Sequence, residues 1–384
     1  MSDSTVISVD AMGGDDGPKP VVAGLARAID REPDLRFLVF GDGERIEPEL
    51  NRRKNARVRD AITLRHTDDV VRMSDDPSRA WRERRGSSMW AALQSVKAGE
   101  ARVAVSCGNT GALLTLATLI LRKAPSIHRS ALAVHWPSAQ GHGFNTVLDV
   151  GAEKRAGPRA LAQYAVMGAE YARLSFGLER PRVGILNIGT EPGKGLSDHQ
   201  IAAARLARVD PERAGFEPVG FVEGTDIPET EVDVIVTDGF TGNVALKTAE
   251  GTASFIRTGL KEAFQHTVLS KLSSLLAYTS LKRFQKRIDP RRVNGGVFLG
   301  LNGTVVKSHG SADAVGVASA VRLAAALATH DLTGTIGQRL AALDFSDLPT
   351  MSQQEERVSS VEAVPDAGRA DAPADRAVLE PGEG

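Results

Sequence analysis

The sequence predicts an α/β fold, a three-layer α/β/α sandwich in which a mostly parallel sheet lies between two layers of helices. Two features support this prediction. Short runs rich in Val, Ile and Leu alternate along the chain with longer segments that have helical periodicity. Several of the short runs are apolar at consecutive positions, as expected of central strands that are covered on both faces. Strands that alternate with helices favour parallel pairing.

Eight of the short runs are predicted to be strands because Gly, Asp or Pro bounds them. They are Thr5–Val9, Arg36–Phe40, Val103–Ser106, Ala131–His135, Asn145–Val150, Arg182–Asn187, Pro218–Val222 and Val232–Thr237. Six segments with apolar residues every three or four positions are predicted to be helices. They are Pro20–Asp30, Ser87–Ala98, Gly111–Lys123, Pro158–Ser175, Ser197–Val209 and Leu246–Gln265. The sequence contains no internal repeat.

The composition excludes several classes of protein. Among 384 residues, Lys and Arg number 47 and Asp and Glu 48, so the net charge of −1 gives no reason to expect nucleic-acid binding. The single cysteine, Cys107, excludes an intramolecular disulfide framework and a cysteine-rich metal site. We therefore expect a cytoplasmic protein. Met1–Ser4 lacks the features of a signal peptide, and the apolar run Ala112–Leu121 is too short to cross a membrane.

Charge and composition divide the chain into two parts. Residues 351–384 contain eight acidic and three basic residues, have a net charge of −5 and include no aromatic residue. Such a segment cannot bury enough apolar surface to offset its loss of conformational entropy on ordering. We predict a disordered acidic tail over 351–384 and one α/β domain over 1–350.

Five of the predicted strands end in loops that contain glycine and one or two polar residues. These loops are Asp10–Asp15, Cys107–Gly111, Gly151–Ala152, Ile188–Gly195 and Asp238–Asn243. In a parallel α/β sheet the ligand binds at the carboxyl ends of the strands. The five loops are therefore predicted to line one polar pocket in which the backbone approaches the ligand closely. None of them fits the P-loop pattern or the dinucleotide-binding pattern.

Polar residues in these loops have both a structural and a functional interpretation. Asn109 and Thr110 precede an apolar helix, where they either cap the helix or help its N–H groups to bind an anion. Lys194 stands in a loop of small residues and is either solvated or an anion ligand. The same two interpretations apply to Lys307 and His309.

Nucleophilic and metal-dependent catalysis are not indicated by any motif. Cys107 follows a predicted strand, but a buried free cysteine is more common than a catalytic one. The chain has no G-x-S-x-G elbow. His128, His135 and His142 lie seven residues apart but fall in different predicted elements, so we predict no metal site.

Several short motifs follow one another along the chain. They are Asp10-Ala11-Met12-Gly13-Gly14-Asp15, Ser87-Ser88-Met89, Ser106-Cys107-Gly108-Asn109-Thr110-Gly111-Ala112, Leu148-Asp149-Val150-Gly151-Ala152, Leu186-Asn187-Ile188-Gly189, Asp238-Gly239-Phe240-Thr241-Gly242-Asn243-Val244, Gly295-Gly296, Leu299-Gly300 and Lys307-Ser308-His309-Gly310. Each motif is short, but their number, order and spacing resemble those of the bacterial acyl-carrier-protein:phosphate acyltransferase family of phospholipid synthesis. The resemblance covers about residues 5–330.

The resemblance implies a reaction, a fold and partners. Inorganic phosphate attacks the thioester of a long-chain acyl group on acyl carrier protein, giving acyl phosphate and free carrier protein. A membrane glycerol 3-phosphate acyltransferase then uses the acyl phosphate. The implied fold is isocitrate dehydrogenase- or phosphotransacetylase-like. The family works as a homodimer, needs no organic cofactor and associates peripherally with the inner face of the cell membrane.

Such a reaction makes particular demands on the site. Because phosphate is itself the nucleophile, the enzyme has to bind a dianion and stabilise the tetrahedral oxyanion. From residue chemistry we hypothesise that Lys194 and Lys307 hold the phosphate charge. Asn109 and Asn243 are hypothesised to donate hydrogen bonds to phosphate or to the oxyanion.

The remaining candidates complete this hypothetical site. His309 is a candidate acid or base, and Asp10 is a candidate orienting group. The glycine loops are expected to present backbone N–H groups to the phosphate. The residues assigned to this role are Gly13, Gly14, Thr110, Gly111 and Gly242. No cofactor or metal is expected.

Three positions depart from the family pattern. Glu153 follows Gly151-Ala152 where the family has Asn, and Asp16 stands where the family has His. Gly189-Thr190-Glu191-Pro192-Gly193 replaces the usual Gly-Glu-Glu before Lys194. A carboxylate at Glu153 would repel phosphate if it faced the pocket.

Residues 254–288 are predicted to form an amphipathic helical hairpin with its junction near Ser270–Ser280. Apolar residues recur every three or four positions, and the charged residues of the segment sum to +6. An apolar stripe beside Lys and Arg is typical of a helix that lies on an anionic membrane. The expected membrane-contacting residues are Val268, Leu272, Leu275, Leu276, Leu281 and Phe284. The alternative is an ordinary helix pair packed on the core or on a partner subunit.

A second basic run, Arg82–Arg85, precedes Ser87 and is interpreted either as a solvated helix face or as a docking site for an acidic carrier protein. Acyl-coenzyme A is the alternative acyl donor, since the sequence does not separate the thiol carriers. A non-catalytic membrane scaffold of the same fold is a rival from another class. A dehydrogenase on the related fold would require a metal-binding Asp cluster that the sequence lacks.

Overall fold

The computed structural model describes residues 5–191, 193–267, 269–270, 273, 276–280, 282–283 and 295–350. In this part of the chain one sheet of eleven strands organises the fold. The strands, numbered β1 to β11, are Val6–Asp10, Arg36–Gly41, Ile62–His66, Val103–Ser106, Ala131–Pro137, Phe144–Leu148, Arg182–Leu186, Glu217–Val222, Val234–Val236, Gly296–Leu299 and Thr304–Lys307. The predicted acidic tail lies outside the described residues, so it stays a prediction.

Eleven α-helices, numbered α1 to α11, are described in the same ranges. They are Pro18–Ile29, Gly43–Leu50, Pro77–Glu83, Ser88–Lys97, Thr110–Ile120, Pro158–Phe176, Ser197–Leu206, Pro211–Ala214, Gly239–Gln265, Ala314–Ala328 and Leu332–Leu343. Side-chain caps fix where several of them begin. The Ser87 hydroxyl accepts from the Trp90 N–H at the start of α4, and the Asp238 carboxylate accepts from the Thr241 N–H at the start of α9.

The strand directions divide the sheet into two parallel blocks. The order across the sheet is β3-β2-β1-β4-β11-β10-β5-β6-β9-β7-β8. Strands β3, β2, β1, β4 and β11 run in one direction, whereas β6, β9, β7 and β8 run in the other. Antiparallel pairs β11–β10, β10–β5 and β5–β6 join the blocks. The strands of the two blocks therefore end in opposite directions, but the blocks are offset, so that Lys307 at the end of β11 is level with Val147 near the end of β6.

The two faces of the sheet bury separate cores, which confirms the predicted three-layer architecture. Along β4, Val103 and Val105 belong to one core and Ala104 to the other, because successive side chains point to opposite faces. Strand β10 alternates in the same way. The first core contains α1, α6, α10 and α11, and the second contains α4 and α5.

All eight predicted strands and all six predicted helices correspond to elements of the structure. Strands β3, β10 and β11 were not predicted. Strand β3 has a largely exposed edge position, and β10 follows two glycines that are typical of a loop. The prediction of a loop over Asp238–Asn243 is wrong, because Asp238 caps α9 and the helix begins at Gly239.

The first helix of the predicted hairpin is the second half of α9. This helix is continuous from Gly239 to Gln265, so it starts before Ser254 and ends before the predicted junction. Leu276 is described and exposed. The other candidate membrane residues lie outside the described residues: Val268, Leu272, Leu275, Leu281 and Phe284.

Within the described ranges no single helix has both the length and the apolar composition of a membrane span. Helices α10 and α11 pass the same criteria only as a pair, and they are bent by 59° relative to each other.

Helices α1 and α10 cross each other in the first core, and α10 packs against β1 and β11. A Cβ added to Gly24 of α1 would lie 2.5 Å from Val317 Cβ and 3.1 Å from the Ala318 backbone nitrogen of α10. Only a residue without Cβ allows this approach of the two backbones.

We predict that Gly24→Ala lowers the free energy of unfolding by roughly 1–3 kcal/mol, since the two helices would have to separate. Gly337→Ala is the matched control, because a Cβ at Gly337 of α11 would meet nothing within 4 Å. The control should raise stability by up to about 1 kcal/mol through helix propensity. Urea denaturation of both variants measures the difference. Equal effects would contradict the tight crossing.

Candidate active site

Three polar residues lie side by side where β1, β4 and β11 end. Asp10 is paired with Ser106 across β1 and β4, and Lys307 is paired with Ser106 across β4 and β11. Ser106 lies two residues after Ala104 on β4, and Ala104 belongs to the second core. The side chains of Ser106 and of its two neighbours therefore point to the α4–α5 face of the sheet. We call this edge of the sheet the Lys307 edge.

The Asp10 carboxylate organises the Lys307 edge. One oxygen accepts from Ser88 Oγ at 2.6 Å and from the Met12 and Gly13 N–H groups at 3.2 Å. The other accepts from Ser106 Oγ at 2.7 Å. Burial raises the pKa of Asp10, although these hydrogen bonds oppose the rise. Asp10 was predicted to be an orienting group, and the groups that it orients in this structure belong to the protein's own loops.

Two glycine loops meet above this carboxylate. A Cβ on Gly13 would lie 2.6 Å from the Gly108 nitrogen, and a Cβ on Gly14 would lie 2.7 Å from the Gly310 carbonyl oxygen. Gly14 also has φ +94°, a conformation that favours glycine. The Asp15 N–H donates to the Gly310 carbonyl at 2.9 Å. The structure thus brings the loops after β1, β4 and β11 into one cluster.

Lys307 is almost completely buried in this cluster. Its side chain is 8% exposed, and its ammonium donates to the Ser308 carbonyl oxygen. Burial lowers the pKa of Lys307 to about 8, and the positive charge of Lys247 on α9 lowers it further. Asp10 and Asp15 act in the opposite direction. Desolvation of a cation is the main cost at this position.

His309 and Lys247 add to the positive potential around Lys307. His309 is exposed, and its Nδ1 lies 2.9 Å from Ser311 Oγ. Burial lowers the pKa of His309, and the charges of Lys247 and Lys307 lower it further, whereas Glu250 and Asp15 raise it. Basic groups that disfavour one another's charge form a site where a bound anion is stabilising.

The start of α5 closes the cluster, and the capping interpretation of Asn109 is confirmed. Asn109 Oδ1 accepts from the Ala112 N–H, while its Nδ2 donates to the carbonyls of Met73 and Asp75. The hypothesis that the Asn109 amide donates to substrate conflicts with these contacts. A Cβ on Gly111 would lie 2.8 Å from Pro77 Cγ, so this glycine permits close packing of α3 on α5.

Thr110 lies in the first turn of α5, where backbone N–H groups have no partner within the helix. Cys107 precedes this turn and is a buried free thiol. Burial raises the pKa of Cys107, although Lys307 opposes this rise, so a thiolate is disfavoured.

The other candidate residues follow the ends of β6, β7 and β9, which run antiparallel to β1, β4 and β11. The prediction that five loops line one pocket stays a prediction, since Lys307 is level with Val147 near the end of β6. We call the group of loops after β6, β7 and β9 the Asp149 edge. The Asp149 carboxylate accepts four backbone N–H bonds there, from Leu132, Gly151, Ala152 and Glu153.

The start of α9 packs closely against Asp149. A Cβ on Gly242 would lie 1.9 Å from the Asp149 carbonyl oxygen, which explains why a small residue is needed there. Asn243 is on the same turn, and its side chain lies beside Gly151. Burial raises the pKa of Asp149 to about 6, despite the four backbone hydrogen bonds. Gly242 thus has a packing role at this edge.

Lys194 belongs to the loop after β7 and is exposed. Its ammonium pairs with Glu191 at 2.8 Å. Glu153, the departure from the family pattern, lies at the Asp149 edge and pairs with Arg129 at 3.7 Å. Burial raises the pKa of Glu153, and Arg129 opposes this rise. Lys194 and Glu153 thus each have an acidic or basic partner within the protein.

Several residues of the Lys307 edge carry no distinctive signal in the sequence. Ser88 and Ser106 were part of the quoted motifs but received no role, although both hydroxyls donate to Asp10. Lys247 stood within a predicted helix and gave no signal of its proximity to Lys307. In the ranges that the structure describes, no three His, Cys, Asp or Glu residues are grouped to hold a metal ion.

Comparison with known proteins identifies the family. The family model for a fatty acid synthesis protein matches residues 5–334. A phosphate acyltransferase of Ruegeria is 56% identical over 338 residues, which cover 88% of this chain and 89% of the relative. The chain belongs to the phosphate acyltransferase family. A phosphate acyltransferase of Paracoccus denitrificans is also 56% identical, over 88% of this chain and 91% of the relative.

Solved structures are similar to this phosphate acyltransferase family member in fold. A phosphotransacetylase from Streptococcus pyogenes has a TM-score of 0.56 at 17% identity and covers 86% of this chain and 95% of its own. The EutD phosphotransacetylase from Staphylococcus aureus has a TM-score of 0.54 at 16% identity, over 84% and 94%. The predicted phosphotransacetylase-like fold is confirmed.

The burial of Lys307 predicts a pH-dependent stability. Lys307→Met removes the buried charge and should raise the free energy of unfolding at pH 7 by roughly 1–3 kcal/mol. Above pH 8 the folded wild type loses this proton while the unfolded chain keeps it, so wild-type stability rises toward that of the variant up to about pH 10.5. Urea denaturation at pH 7, 8, 9 and 10 measures the difference. A gap that does not depend on pH would refute the assigned burial.

Proposed function

We propose that this protein transfers a long-chain acyl group from acyl carrier protein to inorganic phosphate. The product, acyl phosphate, would feed phospholipid synthesis through a membrane glycerol 3-phosphate acyltransferase. The observation that carries the proposal is the buried Lys307 ammonium at the ends of three parallel strands, in a chain 56% identical to proteins named phosphate acyltransferase. A desolvated cation in the loop cluster that also contains His309 suits a phosphate dianion.

The proposed step needs no nucleophile from the protein. A phosphate oxygen attacks the thioester carbonyl carbon, a C–O bond forms, and the C–S bond then breaks. The thiolate of the carrier leaves and takes up a proton. Lys307 neutralises phosphate charge, and the first turn of α5 at Thr110 offers backbone N–H groups to phosphate or to the oxyanion. Asp10 acts as a positioning residue, since its oxygens hold the loops.

We place the acting form as a homodimer on the inner face of the cell membrane. Helix α9 supports a second copy as partner, because only Gly239 and Gly242 of its 27 residues are buried. Its exposed apolar side chains include Phe240, Val244 and Phe255. Beyond α9, Leu269 and Leu276 are exposed near Lys282, a combination that suits an anionic lipid surface.

The reaction is tested with palmitoyl-acyl carrier protein, phosphate and hydroxylamine. We expect phosphate-dependent release of free carrier protein and a trapped palmitoyl hydroxamate. Palmitoyl-coenzyme A is the parallel donor, and we expect at least about tenfold lower kcat/KM with it, a difference of about 1.4 kcal/mol. Equal or better use of palmitoyl-coenzyme A would make the coenzyme A thioester the donor. No release from either donor would refute the proposed reaction.

Two lysine variants locate phosphate in the same assay. Lys307→Met should raise the phosphate KM at least about tenfold, because the buried cation is lost. Lys194→Met tests the hypothesis that Lys194 holds phosphate charge in the loop after β7, where its ammonium pairs with Glu191. We expect a phosphate KM within about twofold of wild type for it. The reverse order of effects would move the phosphate site to the loop after β7.

Membrane association is tested by co-sedimentation with vesicles of phosphatidylglycerol or of phosphatidylcholine. Leu269→Asp/Leu276→Asp should abolish binding to the anionic vesicles, since each leucine is more than 70% exposed and carries apolar surface to the lipid. Val219→Asp, at an exposed apolar position of β8, is the control and should bind as wild type does. Unchanged binding of the double variant would exclude this segment as the contact.

A further inference from the structure

Helix α3 carries a basic surface that the proposed chemistry does not use. We call it the Trp81 patch, formed by Arg79, Trp81, Arg82 and Arg85. The Arg82 guanidinium lies 4.5 Å from the Trp81 ring centroid, and that of Arg85 lies 5.8 Å from it. Arg85 Nε also donates to the Trp81 carbonyl at 3.1 Å. The indole therefore holds both guanidinium groups in place, with their charges directed to solvent.

The charges of this patch are largely uncompensated. In the described part of the chain, no carboxylate lies within salt-bridge distance of Arg82 or Arg85, and Asp76 approaches Arg79 only to 3.9 Å. Arg84 of the same run has a different role, because it pairs with Asp69 at 3.0 Å and with Asp75 at 2.9 Å. The run thus combines one structural arginine with exposed arginines that are available to a partner.

Arg84 connects the Trp81 patch to the Lys307 edge. Its partner Asp69 accepts a backbone hydrogen bond from Ser88 at 3.1 Å, and Ser88 Oγ donates to Asp10. Its other partner, Asp75, accepts from the Asn109 amide through its carbonyl oxygen. A protein bound at the patch would sit beside the start of α5.

The composition of the patch favours a protein partner over a lipid surface. Trp81 is half-buried and packs against the second core, so it cannot insert into a bilayer. A membrane contact needs exposed apolar side chains beside the basic ones, as found at Leu269 and Leu276. Arginine and tryptophan are enriched at the centres of protein–protein interfaces.

We infer that the Trp81 patch is the docking surface for the acidic carrier protein that delivers the acyl thioester to the Lys307 edge. This inference rests on the proposed function, which names acyl carrier protein as the acyl donor. Arg82 and Arg85 attract the acidic surface of the carrier and orient it, and the thioester arm then reaches past the start of α5. Phosphate binding does not involve the patch.

The test compares Arg82→Glu/Arg85→Glu with wild type, using palmitoyl-acyl carrier protein as the probe. We expect the KM for this substrate to rise at least about fivefold and the wild-type KM to rise with salt. The phosphate KM at saturating palmitoyl-acyl carrier protein should stay unchanged. Arg82→Gln/Arg85→Gln should give a smaller effect. Arg53→Glu/Lys54→Glu is the matched control, since it makes the same charge change on another exposed surface.

Direct binding separates failure of this inference from failure of the proposed function. Calorimetry with palmitoyl-acyl carrier protein reports docking without turnover, and circular dichroism confirms that each variant is folded. Wild-type turnover with an unchanged KM in Arg82→Glu/Arg85→Glu would overturn the docking surface alone. Loss of binding to phosphatidylglycerol vesicles in that variant, with an unchanged KM, would make the patch a lipid contact. Wild type that neither binds nor turns over the carrier would refute the proposed function.

Discussion

The hydrogen bonds of the buried Asp10 carboxylate are the interaction on which the candidate site depends. This one side chain joins the end of β1 to the end of β4 through Ser106 and to the start of α4 through Ser88. It also fixes the glycine loop through the Met12 and Gly13 N–H groups. Burial raises the pKa of Asp10, so the network holds a charge that the interior disfavours. Loss of any partner would leave a polar group unsatisfied in the core.

Lys307 adds a second constraint, because its positive charge is buried. A cation that is 8% exposed destabilises the folded chain, and its pKa of about 8 expresses that cost. Nearby acidic groups reduce the cost only in part, since Asp10 is already occupied by four donors. A site that keeps a costly charge at the ends of parallel strands gains most from binding an anion, because the ligand supplies the missing partner. At this position, the positive charge that lowers the stability of the folded chain is therefore the same charge that favours binding of an anion.

The sequence predicted the architecture and some of the polar residues of the Lys307 edge, because strand periodicity and glycine loops are local signals. Asp10, Lys307 and His309 were all candidates before their neighbours were known. The opposite directions of the two blocks were not predictable, since they follow from the antiparallel strands β10 and β5 in the middle of the sheet. Strand β10 itself looked like a loop. The direction of β10 is set by its pairing with other strands, and the local sequence pattern does not indicate it.

The roles of Asn109, Gly111 and Gly242 show a second limit of sequence reasoning. All three stood in glycine motifs that suggested close approach to a ligand, and all three do permit a close approach, but to protein. Gly111 meets Pro77, Gly242 meets Asp149, and the Asn109 amide meets the segment before α3. A motif reports that the backbone comes close to something, and only the fold determines what that is.

Helix α9 runs from the Asp149 edge toward the Lys307 edge. It begins against Asp149, and two turns later Lys247 lies close enough to lower the pKa of Lys307 and of His309. The same helix then continues to Gln265 with almost all of its surface exposed. Helix α9 therefore brings one of its own positive charges to the Lys307 edge, where it adds to the potential that favours a bound anion. The same charge raises the cost of burying Lys307, so the position of α9 contributes both to that cost and to the attraction for an anion.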